Sequence, residues 1–184
     1  MTAGIEFKIV FTGPMGAGKT TAIAALSDVP PVSTDVVNTD HAAFDKASTT
    51  AGLDYGHIAL DEHTQVRLYG TPGQGRFRFL WDILARGAAG AIVLLDAQQA
   101  DALVQMDLFV EAFGNGRLCP LVLGVGRLGQ HGALGLEAFC QRLENHGLRL
   151  PVFGVDVRRR EDVLLLLDTL LCLIEAGQDA RLRA

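Results

Sequence analysis

"FTGPMGAGKTT", Phe11 to Thr21, sets a lysine inside a run of glycines, between an apolar segment and one able to form a helix. Gly13, Gly18, Lys19 and Thr20 fill the pattern G-x-x-x-x-G-K-[ST], in which bare backbone N–H groups surround a polyphosphate. Upstream, Phe7, Ile9 and Phe11 alternate with Lys8 and Val10 and predict a strand; downstream, Thr20 to Leu26 predicts a short helix. An anion between the two meets a helix N-terminus, where unpaired donors and the helix dipole favour negative charge. Glycines at 13, 16 and 18 keep Cβ atoms out of the turn, so the backbone can approach an oxygen closely. The expected nucleotide contacts here are Gly13, Met15, Gly16, Ala17, Gly18, Lys19, Thr20 and Thr21, with Lys19 reaching the β- and γ-phosphates and the Thr20 hydroxyl on Mg2+.

Short apolar runs such as "AIVLLDA" (91–97) and "PLVLGVG" (120–126) suit strands buried on both faces, the usual condition of a parallel sheet under helices. The expected class is therefore α/β. A chain of 184 residues without repeats or a dividing linker reads as one domain over 1–184. Strands are expected near 5–12, 54–60, 65–69, 90–96, 120–125 and 151–156, and helices near 19–26, 76–86, 101–113, 134–146 and 161–176. Only "DEHT" (61–64) separates "DYGHIAL" from "QVRLY", too short a link for a parallel crossover. The expectation is a six-stranded mixed sheet with one antiparallel hairpin beside the first strand and helices on both faces. Val66 and Leu68 alternate with Gln65 and Arg67, which suggests a strand near a sheet edge. The polar stretch from Asp28 to Thr50 reads as a mobile active-site segment.

A net charge of −5 and a pI near 5.5 argue against nucleic acid or an anionic membrane as partner, and acids adjoin the one basic run, "VRRRED" (157–162). Cys119, Cys140 and Cys172 lack ligand or CxxC spacing and read as reduced, mostly buried thiols of a cytoplasmic protein. The longest nearly apolar run, "VLLLLDTLLCLI" (163–174), is too short to span a bilayer, and neither Thr2 nor the C-terminus offers a lipidation signal. His41, His57, His63, His131 and His146 are scattered, without metal-ligand spacing.

The glycine-rich turn, the polar segment ending in threonine, the hairpin and "GTPGQGRFRFLW" (70–81), in this order, resemble the Ras-like small GTPases, in particular the bacterial branch that includes MglA-type polarity switches. The resemblance covers nearly the whole chain. It implies a slow GTPase that acts as a molecular switch, with GTP and GDP as ligands and Mg2+ as cofactor. It places the Mg2+- and γ-phosphate-sensing threonine at Thr50, in "TTAGLDYG" (49–56), the γ-phosphate amide at Gly73, and the residue orienting the attacking water at Gln74. It implies base contacts from Arg127 and from Asp156, Val157 and Arg158, one of whose backbone N–H groups could meet guanine O6. Its implied partners are a Roadblock-type activator and effectors of cell polarity or surface motility.

The chain departs from the family at three places. Gly70 stands where the family carries the aspartate that holds Mg2+ through water, which implies weaker metal binding. Gly129 stands where a carboxylate reads guanine, which implies a narrower margin of GTP over ATP. Met15 replaces a common glycine and could crowd an arginine finger; Arg76 or Arg78 could supply one internally. Two other readings stay open: a nucleotide-binding interaction module without efficient hydrolysis, and a small-molecule kinase, since "GPMGAGKT" (13–20) resembles the phosphate loop of shikimate kinases and "NTDHAAFD" (38–45) loosely their substrate region.

Overall fold

Residues 5–33, 53–114, 119–129 and 132–182 are described by the structure, a computed structural model. The strand expected upstream of the glycine-rich turn is β1 (Ile5–Thr12), and the helix after it is α1 (Lys19–Leu26). There follow β2 (Val32–Ser33), β3 (Asp54–Ala59), β4 (Thr64–Gly70), a 3-10 turn at Gly75–Phe77, α2 (Arg78–Ala85), β5 (Gly90–Asp96) and α3 (Ala102–Gly114). The chain continues through β6 (Leu121–Gly126), α4 (Leu136–Asn145), β7 (Val152–Gly154) and α5 (Arg160–Leu182). The strands form one sheet in the order β2-β3-β4-β1-β5-β6-β7, with β1 at its centre. From β4 to β7 in that order every pairing is parallel, whereas β3 runs antiparallel to both β4 and β2.

Two expectations about the sheet need correction. It has a seventh strand and a second antiparallel pairing, because Val32 and Ser33 pair with Tyr55 and Asp54. Two residues after Pro30 and Pro31 are too few to show a period of two, so nothing in the pattern marks them as a strand. In addition, β4 is not near an edge but lies between β3 and β1, third from the β2 side. Its alternation is real, with Val66 and Leu68 buried, Gln65 exposed and Arg67 half-buried. Alternation, however, reports which face is wet, not how many strands flank the ladder. Arg67 pairs in register with Lys8 and His57 and forms an ion pair with Glu6, so the polar face runs across three strands.

The apolar runs divide between two cores. Ile92 and Leu94 of β5 face α1 and α5, packing with Ile9, Phe11, Ile23, Leu166 and Leu170. Val93 and Leu95 face α2, α3 and α4, packing with Trp81, Met106, Phe109, Phe139 and Leu143. A strand buried this way has no polar side to alternate with, which explains its continuous run of apolar residues. In α5, Val163, Leu166, Leu167, Leu170 and Ile174 are buried at helical spacing, so this face of the helix serves the core. Cys119 and Cys140 are only half-buried and Cys172 is exposed, against the expectation of mostly buried thiols. Among the described residues no helix is long and apolar enough to cross a membrane. The consequence for the site is positional: the segments that follow β1, β4, β5, β6 and β7 leave from one end of the parallel strands, where α/β proteins place ligands.

Candidate functional site

Between β1 and α1 the chain turns through Gly13 at φ 137°, where a Cβ would lie 2.0 Å from the Leu94 carbonyl oxygen of neighbouring β5, so only glycine fits. The Lys19 side chain folds back along this turn, and its ammonium donates to the Gly13 and Pro14 carbonyls, both at 2.8 Å. An ammonium carries three donors, so these bonds aim it and leave one N–H for a ligand. Lys19 is only 8% exposed. Burial lowers its pKa from 10.5 to about 8, against a smaller upward pull from the negative charge of Asp54. The N-cap of α1, Gly18, makes no side-chain bond, and the first turn holds no acid, so no such group competes with an anion there.

Asp54, at the start of β3, is the residue that sequence reasoning missed. It is 7% exposed, and the Thr20 hydroxyl donates to its Oδ2 at 2.6 Å. In the β3–β4 register Asp54 pairs with Gly70. A Cβ added at Gly70 would meet both Asp54 Cβ and Oδ2 at 3.0 Å, and Ile23 Cδ1 at 3.1 Å. Gly70 thus leaves room for a carboxylate delivered by the opposite strand. Thr20 and Asp54 together offer hard oxygen ligands of the kind Mg2+ takes. Thr50, the other expected metal ligand, lies outside the described residues, as does most of the polar segment before it.

After β4 the chain crosses back to the turn and is pinned there. Thr71 N–H donates to the Phe11 carbonyl at 2.9 Å, and the hydroxyls of Thr12 and Thr71 bond each other, buried, at 2.9 Å. Trp81, whose ring lies 4.4 Å from that of Phe109, donates from Nε1 to the Pro72 carbonyl at 2.7 Å. Gly73 then lies against the turn, since a Cβ there would be 2.4 Å from Met15 N. The next residue, Gln74, donates from Nε2 to Met15 Sδ at 3.6 Å, and Met15 itself is 71% exposed. Arg76 and Arg78, the two candidate internal fingers, lie over the rings of Phe77 and Trp81.

On its other side the turn borders a cavity of about 640 Å³ that also reaches the segments after β6 and β7, with Thr21, Arg127, Asp156 and Val157 in its wall. Arg127 holds φ 58° and pairs with the buried carboxylate of Asp96. Arg158 donates from Nε to Asp156 Oδ1 at 2.8 Å and from Nη2 to Oδ2 at 2.6 Å, and holds that carboxyl down at about 2. Of the N–H groups expected to meet a base, that of Asp156 is taken by Asp162 Oδ2 at 2.8 Å and that of Arg158 by Asp156 Oδ1 at 3.1 Å. The expected residues thus come together in two groups: Lys19, Thr20, Gly73 and Gln74 at one side of the turn, and Arg127, Asp156, Val157 and Arg158 at the other.

No family model matches the chain. Over 94 residues it is 33% identical to a protein of Methanocaldococcus jannaschii described only as uncharacterized, a match covering 51% of this chain and 53% of the relative. The chain thus aligns with about half the length of that relative.

The lowered pKa of Lys19 gives a prediction for pH. A phosphate needs the charged lysine, so affinity for tripolyphosphate should fall as pH rises past about 8, approaching about tenfold per unit. Stability moves the other way. Between about 8 and 10.5 the unfolded chain binds more protons at this group than the folded one, so the cost of burying the ammonium, full below about 8, is relieved as pH rises. Titration calorimetry and urea midpoints across this window check both signs, with Lys19→Met as the reference lacking the group.

Proposed function

We propose that this chain is a Ras-like P-loop protein that binds GTP and GDP, hydrolyses GTP slowly, and acts as a molecular switch. The observation carrying the reading is the convergence, on one turn, of a buried ammonium, a hydroxyl–carboxylate pair and the Gly73–Gln74 segment. Those are the groups phosphoryl transfer to water calls for: charge against the β- and γ-phosphates, oxygen ligands for Mg2+, and an amide beside the terminal phosphate. The antiparallel β3–β4 pair also favours this reading over a shikimate-kinase-like one, whose sheet is parallel.

Each residue then has a defined task. Lys19, aimed by two carbonyls, directs its remaining N–H and its charge at the β- and γ-phosphate oxygens. Thr20 and Asp54 would hold Mg2+ through their side-chain oxygens. Bound there, Mg2+ would neutralise phosphate charge and favour departure of the diphosphate. The Gly73 N–H would bond the γ-phosphate, and Gln74, leaving the Met15 sulfur, would orient the attacking water. Loss of the γ-phosphate would release Gly73, and Thr50 with it, which is the switch. Partners that read this change, a Roadblock-type activator and an effector of cell polarity or surface motility, belong to the same proposal.

The test is single-turnover phosphate release from GTP. Gln74→Leu should slow it at least about tenfold while leaving GTP affinity nearly unchanged, because the carboxamide acts on water in the transition state. Equal rates would make Gln74 a loop residue and favour an interaction module without efficient turnover.

A further inference from the structure

We propose that the carboxylate of Asp156 reads the base of the bound nucleotide, a task that Gly129 cannot perform. This inference rests on the GTP reading above and names its specificity determinant. At Gly129 the backbone holds φ 73°, an added Cβ meets nothing within 4 Å, and no side chain projects from it. Asp156, in the wall of the cavity, sits in a segment fixed at several points. Val155 N donates to the Val125 carbonyl at 3.0 Å, Asp162 holds the Asp156 N–H, and Arg159 N donates to the Asp156 carbonyl at 2.8 Å. A Cβ placed on Gly18 would lie 2.6 Å from Val157 Cγ2, so this segment packs directly on the phosphate turn. The distance from phosphate to base is thereby set by the fold.

The chemistry of the segment suits guanine. Arg158, its side chain 80% exposed, clamps Asp156 and leaves the carboxylate with lone pairs for a further donor. Among the described residues the Val157 N–H has no hydrogen-bond acceptor, while the N–H groups on either side of it are engaged. A free N–H beside a charged acceptor matches O6 and N1–H of guanine, and the N2 amino group gives the carboxylate a second donor. Adenine brings one donor group to this edge. A site built on a charged acceptor penalises the base that leaves it underused.

The experiment is competition binding of GTP, ATP and xanthosine triphosphate to the whole chain and to Asp156→Asn, with tripolyphosphate affinity reporting the phosphate turn. The parent should prefer GTP over ATP by at least about tenfold. Asp156→Asn should lose at least about tenfold in GTP affinity and gain for the xanthine nucleotide, whose C2 carbonyl accepts from the new amide where guanine's amino group cannot. Asp156→Ala should lose GTP without that gain, and it decides the matter if the asparagine variant fails to hold tripolyphosphate. GTP affinity unchanged in these variants, or lost in Asp156→Asn without a gain for xanthine, overturns the assignment of Asp156 and leaves the GTP reading standing. A parent that binds ATP as well as GTP, or binds neither, overturns that reading and this inference with it.

Discussion

Lys19→Ala should abolish tight nucleotide binding and leave the fold standing. The ammonium is buried, aimed by the Gly13 and Pro14 carbonyls, and keeps one N–H for phosphate. A hydrogen bond from a charged donor is worth about 1.5–3 kcal/mol, so losing the phosphate contact should weaken binding by about ten- to a hundredfold. Folding loses little, because burial already disfavours the charged lysine, as its lowered pKa shows. Titration calorimetry with GTP and a thermal melt separate the two effects. Affinity within a few-fold of the parent would mean that the phosphates bind elsewhere; a collapsed melt would mean that Lys19 is chiefly structural.

The second large effect should come from exchanging two residues across the β3–β4 ladder. Asp54→Gly removes the carboxylate beside Thr20, and the increase in GTP affinity on adding Mg2+ should shrink by about tenfold or more, the usual scale for groups that orient a metal site. Gly70→Asp alone should destabilise the fold by about 1–3 kcal/mol, because its Cβ meets Asp54 at 3.0 Å and overfills the space. The double variant, Asp54→Gly with Gly70→Asp, returns one carboxylate to the space between the strands and should regain most of the Mg2+ dependence. Alanine at 54 would not serve, since the clash at Gly70 includes Asp54 Cβ. A double variant as insensitive to Mg2+ as Asp54→Gly would show that the carboxylate must come from position 54, or that neither position serves the metal.

The glycine-rich turn was legible because its residues are contiguous and their spacing has a physical purpose. The buried strands were legible because β5, covered on both faces, leaves a run without polar interruption. Asp54 could have been found by counting: a hairpin closed after Ala59 and before Thr64 sets 54 opposite 70, so a missing acid at 70 points directly across the ladder. Other features carry no such signal. The bond from Trp81 to Pro72, the pairing of Arg127 with Asp96 and the contact of Val157 with Gly18 join segments that only the folded sheet brings together. The N–H groups at 156–158 were interchangeable in sequence, and only the hydrogen bonds to Asp162 and Asp156 single out Val157.

The turn at 13–20 is proposed to bind a guanine nucleotide with Mg2+. Calorimetric titration of the whole chain with GTP, GDP and ATP, each with Mg2+ and with a chelator, tests it most directly. The expected result is one GTP or GDP per chain, bound more tightly than ATP, with GTP binding strengthened by Mg2+. No binding of GTP, or binding of ATP as tight as that of GTP or tighter, would refute it.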